Sequence, residues 1–316
     1  MPTSPRELPL ITTTGPASYA LIDSGNGRKL ERFGTVVVDR PEAQAMWQPR
    51  LARGEWAKTN AVFSASVEDE EKGRWRVDKP VPEAWPVEVE GVTMRCKLAG
   101  LWHLGLFPEQ LPHWQWMQSV WSAPHRAAEA ARPRLLNLFA YTGAASLIAA
   151  RAGADVVHVD ASKKAIAWGR ENAAASGLEQ APIRWICEDA RRFVAREVRR
   201  GRSYDVILVD PPKFGRGPDG EVWELFEHLP ALMADCAKLL APGPARLILT
   251  AYAIRASALA LDGLVREVLA GRDGHIESGE LALQEQGGGR LIGTSMYTRW
   301  QCQRRFAGID FLASST

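Results

Sequence analysis

From residue 134 onward the chain repeats one pattern: a short β-branched or leucine-rich run, a loop, then a helical stretch. Leu135–Phe139, Asp155–Val159, Ile183–Cys187, Tyr204–Val209 and Ala245–Thr250 read as strands. Helices are expected over residues 143–152, 162–176, about 190–200, 222–240 and 257–270, with Ser162 as an N-cap and Gly177 closing the second. Two last strands, His275–Leu283 and Ser295–Arg304, have no helix between them. Strands that alternate with helices cannot pair as hairpins, so they must lie parallel with helices on both faces. The expected fold is α/β, a doubly wound, mostly parallel, seven-stranded Rossmann-like sheet with an antiparallel pair at its end.

The front of the chain differs. Eight of the 12 tryptophans precede residue 122, among them Trp121. Ser18–Asp23, the Gly25-Asn26-Gly27 turn and Phe33–Asp39 read as one hairpin, and Pro86–Glu90, Gly91 and Val92–Leu98 as another. The tryptophans fit a small β-domain core, with base stacking as the sharper alternative. Residues 1–112 carry 14 basic and 15 acidic residues, so this part is no electrostatic arm by itself. The division expected is a β-rich N-terminal substrate-recognition domain over 1–110 and a second domain over 111–316.

A net charge of +2 excludes a polybasic architectural nucleic-acid binder but leaves room for a local basic groove. The apolar run Leu135–Ala150 is too short and too interrupted to span a bilayer, and no signal peptide is visible. Cys96, Cys187, Cys236 and Cys302 lie far apart with no Cys-x-x-Cys pairing, which disfavours a zinc knuckle or a disulfide framework. No metal, no membrane and a cytoplasmic location are expected; the oligomeric state is left open.

In open α/β sheets ligands bind beyond the carboxyl ends of the strands, where strand order reverses. Here that loop is Phe139-Ala140-Tyr141-Thr142-Gly143. A dinucleotide pyrophosphate needs bare glycine backbone, and one glycine beside a tyrosine suits it poorly. Asp160 ends the second strand, where a carboxylate accepts both hydroxyls of a ribose. Asp189, after the third, stands where an adenine amine would lie, although either acid also suits an N-cap. Together they describe an adenosine pocket without a pyrophosphate grip, which is what S-adenosylmethionine needs. An NAD(P)-dependent oxidoreductase is the competing enzyme class, permitted by Asp160 and opposed by the single-glycine loop.

After the fourth strand comes Asp210-Pro211-Pro212-Lys213-Phe214. Two prolines fix φ and remove two N–H donors, so carbonyls project without local competition. Asp210 and the Asp210 or Pro211 carbonyl can accept protons from an amine, and Phe214 offers a face for stacking worth about 1–3 kcal/mol. Lys213 suits either a phosphate contact or plain solvation.

With these segments in view, residues 103–304 resemble class I S-adenosylmethionine-dependent methyltransferases, and most nearly the ribosomal RNA large-subunit methyltransferase I group. The resemblance rests on Leu136–Gly143, Val157–Ser162, Glu188-Asp189-Ala190 and Asp205–Phe214 in that order. It implies that Tyr141, Thr142 and Gly143 face the methionine end, Asp160 the ribose and Asp189 the adenine, with Phe139, Ala140, Ala161, Ser162, Ala190 and Asp210 also among the cofactor-binding residues. It also implies that Gly105–Gln110, with Phe107 and Gln110, closes over the cofactor.

Three features depart from the group. Leu249-Thr250-Ala251-Tyr252 carries no cysteine where cytosine-C5 members have their nucleophile. His113 and Trp114 stand where relatives have arginine-rich sequence. The usual N-terminal RNA-binding module is not obvious. Carbon-5 of a pyrimidine needs covalent activation by a thiolate, whereas nitrogen needs only alignment against an activated sulfonium. The expectation is therefore methyl transfer to a base nitrogen of ribosomal or other structured RNA. A cytosine-C5 RNA methyltransferase and a protein N-methyltransferase are the alternatives. Gly287-Gly288-Gly289-Arg290 suits either a mobile substrate loop with Arg290 at its tip or a plain hairpin.

Overall fold

The computed structural model describes residues 7–65, 73–100, 102–119, 132–252 and 254–302. Trp121 and positions 303–304 of the expected last strand lie outside them.

The strand Arg134–Leu138 is buried along both faces, as a central parallel strand must be. Leu136 and Leu138 point into one hydrophobic core and Leu135 into the other. Asp155–Asp160 and then Ile183–Cys187 add in parallel on one side, Val206–Val209 and Arg246–Ala251 on the other. Strand order therefore reverses at Arg134–Leu138. The antiparallel strand Leu291–Gln301 comes next, followed by its hairpin partner His275–Gln284. The seven expected strands are all present. An eighth, Leu10–Thr13, pairs in parallel with Glu280–Leu283 and covers the far edge.

The helices follow local chemistry. Ser162 accepts from the Ala165 amide at 3.2 Å and caps Lys163–Ala175; Gly177 beyond its end has φ +66°. The helix expected from Val222 begins only at Leu225. Val222–Glu224 instead pairs with Phe214–Arg216 as a two-stranded ribbon, which β-branched Val222 and Trp223 favour.

Ahead of the large sheet, Tyr19–Gly25, Arg28–Phe33, Val36–Pro41, Ala61–Ala65 and Gly73–Val77 form a five-stranded sheet. The expected strand Phe33–Asp39 is interrupted by a turn at Gly34, φ +58°, and Arg28–Phe33 is the true partner of the first strand. That strand reads as polar because Lys29 and Glu31 are charged, yet both are buried. Arg40 clasps Glu31 through Nε at 2.8 Å and Nη2 at 2.9 Å, the Tyr19 hydroxyl donates to Glu31 at 2.8 Å, and Lys29 reaches Glu42 at 3.2 Å. The second hairpin, Trp85–Val89 with Val92–Cys96, turns at Glu90 and Gly91. Tyr19, Phe33, Trp85 and Met94 share one core with Leu135, Leu147 and Ile148, so the front sheets and the large sheet pack without a solvent gap. The hairpin loop before Leu291 is tied down: Arg290 donates to the Ser24 and Gln48 carbonyls at 3.0 and 2.6 Å. Arg290 is thus an anchor between the two sheets, not a free tip.

Candidate active site

The loop after Arg134–Leu138 has an unusual backbone. Phe139 and Tyr141 both sit in the left-handed region, at φ +55° and +50°, and Gly143 at φ +91°. Such a conformation costs a non-glycine residue about 1–2 kcal/mol, and it persists where surrounding bonds over-determine it. The Tyr141 amide donates to Asp160 Oδ2 at 2.8 Å, and the Ser162 amide to Asp160 Oδ1 at 2.8 Å. The Ala140 amide donates to the Val159 carbonyl, and the buried Asn172 amide holds the Thr142 carbonyl at 2.9 Å. A side chain at Gly143 would add strain beside His158 and Trp185, 3.4 and 3.5 Å from the Cβ it would carry. Asp160 thus braces the loop with one lone pair on each oxygen and keeps further acceptor capacity for a ligand. Burial holds its carboxyl above the ordinary range, against the pull of the two amides.

The Gly105–Gln110 segment lies over this loop. Gly105, at φ +98°, lets the chain pass against Trp168, 2.3 Å from where a Cβ would stand. Its carbonyl accepts from the Thr142 hydroxyl at 2.5 Å. Phe107 packs on Tyr141 with ring centroids 5.4 Å apart. Between this lid, the strand ends and the start of helix Ala144–Arg151 lies a cleft. It is lined by Phe107 and Gln110, by Phe139 to Gly143, by Asp210 and Thr250, and by His113, Trp114 and Asn137. Eight of the sequence-derived residues meet there: Phe107, Gln110, Phe139, Ala140, Tyr141, Thr142, Gly143 and Asp210.

Asp210 follows the strand Val206–Val209 and opens into the cleft. The Thr250 hydroxyl, on the neighbouring strand, donates to Asp210 Oδ1. The protein packed around it raises the Asp210 carboxyl above its usual range, and Thr250 opposes that shift. The Pro212 carbonyl is taken by the Trp223 indole at 2.7 Å and the Lys213 carbonyl by the Leu225 amide at 3.0 Å. These bonds lock the turn. Phe214 is left 53% exposed on the ribbon, and Lys213 is exposed beside it. Pro211 to Phe214 rim the site without lining the cleft.

Asp189 has other duties. It caps helix Ala190–Arg199, accepting from the Arg191 and Arg192 amides at 2.9 and 3.1 Å, and it pairs with the Arg191 guanidinium at 3.1 Å. Neither it nor the buried Ala190 lines the cleft, and Asp160, Ala161 and Ser162 also stand outside its lining, Asp160 behind the loop that it braces. The helix beginning directly after the strand leaves two amides needing an acceptor, which Asp189 supplies.

No cysteine lines the cleft. Cys96 is buried, its thiol pushed up to about 12 by desolvation, and burial raises Cys236 as well. Cys187 lies beside the Ala161 carbonyl, its thiol also raised. A thiol activated as a nucleophile is lowered, the opposite of what Cys96, Cys187 and Cys236 show.

Sequence reasoning missed Thr250 as the partner of Asp210, and Asn137, which donates to Ser146 at 3.0 Å. It noted His113 only as a departure. The signal for His113 was its place among Leu111, Trp114 and Met117, a polar residue on an otherwise apolar helical face.

A mostly parallel open sheet with a cleft at its switch point, an aspartate bracing the loop beside it and an Asp-Pro-Pro turn at its rim make this a Rossmann-like α/β fold. Residues 56–307 match the S-adenosylmethionine-dependent methyltransferase family, and the chain belongs to it. A crystal structure of the S-adenosylmethionine-dependent methyltransferase from Agrobacterium tumefaciens is 48% identical, with a TM-score of 0.86 over 92% of this chain and 93% of that one. Ribosomal RNA large subunit methyltransferase K/L of Hahella chejuensis is 33% identical over 159 residues, 50% of this chain and 20% of that protein. Ribosomal RNA large subunit methyltransferase I of Aeromonas salmonicida is 39% identical over 82 residues, 26% of this chain and 21% of that protein. The match thus spans about one fifth of these curated relatives. The enzyme is an S-adenosylmethionine-dependent methyltransferase. Among the described residues no helix is long and apolar enough to cross a membrane.

Proposed function

We propose that this enzyme methylates a base nitrogen of structured RNA in the cytoplasm, with ribosomal RNA as the first candidate. The observation that carries this reading is the Asp210–Thr250 pair in a cleft that no thiol enters, beside an exposed Phe214. Bound S-adenosylmethionine supplies an activated methyl group. Asp160 and the turn through Ala161 and Ser162 would hold the ribose, and Tyr141 to Gly143 the methionine side. Asp210, aimed by Thr250, would accept hydrogen bonds from the attacking amine and take its proton. The Pro211 carbonyl, for which a ring-locked neighbour offers no N–H, would complete the alignment. Phe214 would stack on the target base, and Lys213 would meet a backbone phosphate. Residues 1–110 would recognise the acceptor and 111–316 carry out transfer, with Gly105–Gln110 joining the two at the cleft. The names of the two ribosomal RNA methyltransferases support RNA over protein.

The test is nucleoside mass spectrometry of RNA from cells with and without this gene, followed by transfer of labelled methyl to RNA from the deficient cells. A base N-methyl mark that disappears and is restored in vitro is the expected result. Label in protein or at cytosine C5 would overturn it.

A further inference from the structure

Helix Leu111–Gln118 buries Leu111, His113, Trp114 and Met117. His113 is 2% exposed, and neither Nδ1 nor Nε2 has a hydrogen-bond partner among the described residues. The ring packs edge-on against Tyr297, centroids 5.1 Å apart, and the Tyr297 hydroxyl is committed to Glu277 at 2.8 Å. Burial, with Arg299 nearby, pushes the imidazole down to about 3, so it is neutral and offers one N–H donor and one lone pair. Leucine would fill the same interior without leaving polar atoms unpaired. A ring kept there despite that cost points to a ligand.

Trp102 Nε1, His158 Nε2 and Ser295 Oγ are also buried without partners, but only His113 among them lines the cleft. Three other polar groups of the cleft are engaged within the protein: the Thr142 hydroxyl with Gly105, Thr250 with Asp210, the Asn137 amide with Ser146. The position of His113 selects the ligand group. Asp160 and Asp210 end strands separated by Arg134–Leu138, about 10 Å apart at two strand spacings. Tyr297 pairs with Thr250 one strand further on. A nucleoside cofactor with its ribose at Asp160 therefore extends its amino-acid end along the cleft toward Asp210 and His113.

We infer that His113 binds the amino-acid end of S-adenosylmethionine, its neutral ring donating a hydrogen bond to the cofactor carboxylate. This rests on the reading of the cleft as the cofactor site.

Calorimetry with two ligands separates the claims. S-adenosylhomocysteine carries the amino-acid end, and 5′-methylthioadenosine keeps the adenosine and thioether without it. His113→Leu should weaken S-adenosylhomocysteine about tenfold or more, the scale of one hydrogen bond to a charged group, and leave 5′-methylthioadenosine within twofold. His113→Asn, which retains a donor, should recover part of the loss. Should His113→Leu not fold, His113→Phe, which keeps a ring against Tyr297, carries the same comparison. Unchanged affinity for S-adenosylhomocysteine, or equal loss for both ligands, overturns the role of His113. A wild-type protein that binds neither ligand overturns the cofactor site and this assignment together.

Discussion

The Thr250 hydroxyl donates to Asp210 across two adjacent parallel strands, so the orientation of this cleft-lining acid is fixed by its neighbour. Removing that bond with Thr250→Val leaves the shape and takes away the influence that lowers the Asp210 carboxyl. Methyl transfer should slow about tenfold, and the acid limb of its pH profile should move to higher pH, because Asp210 must be ionised to accept a proton. Single-turnover rates across pH check both.

Asp210 itself should trade stability for function. Its folded-state pKa lies above the unfolded one, so its favourable contribution is present below the unfolded pKa and is lost as pH rises through the folded value. Asp210→Asn should therefore melt higher than wild type at pH 8, with the advantage vanishing in acid, while turnover drops about a hundredfold or more. Melting curves at two pH values, set beside activity, test the pair of effects.

Asp160→Ala removes the brace on the left-handed loop as well as the proposed ribose acceptor. Loss of charge-assisted bonds predicts a cofactor affinity weaker by about 1.5–3 kcal/mol. Calorimetry on a folded variant should show it, and unchanged affinity would remove Asp160 from the site.

Replacing Cys96, Cys187, Cys236 and Cys302 together by Ala should keep turnover within about tenfold, roughly 1.4 kcal/mol of barrier. The cost should fall on stability, through Cys96 and Cys236, which are fully buried. A covalent adduct with a 5-fluoropyrimidine RNA, lost with one cysteine, would restore a C5 mechanism.

In the front sheet, Arg40→Leu should destabilise by about 3–5 kcal/mol, because Glu31 loses its clasping cation in the interior and keeps only the Tyr19 hydroxyl bond. Arg40→Leu with Glu31→Leu should cost much less. Denaturant titrations of both variants check the sign of the difference.

The parallel strands and their order along the chain were legible because each is a short apolar run closed by a turn or cap residue. The loop Phe139–Gly143 and Asp210 were legible because a switch-point loop and an Asp-Pro-Pro turn each announce themselves locally. What escaped depended on distant partners. Arg28–Phe33 looks too charged for a buried strand until Arg40 and Glu42 are brought beside it. Asp189 could serve an adenine or a helix end, and only the position of Arg191 shows how fully it is engaged. Leu10–Thr13 carries no sign that its partner lies at the other end of the sequence.

That last strand sets the timetable of folding. Its partner His275–Gln284 is separated from it by nearly the whole described chain, and Leu21 bridges to Glu285 just beyond. Contacts of such long range are closed late and slowly. On the ribosome, the N-terminal segment must therefore wait unpaired until the last hairpin emerges. Until then the far border of the large sheet stays uncovered, which makes that interval the point at which this enzyme is most open to aggregation.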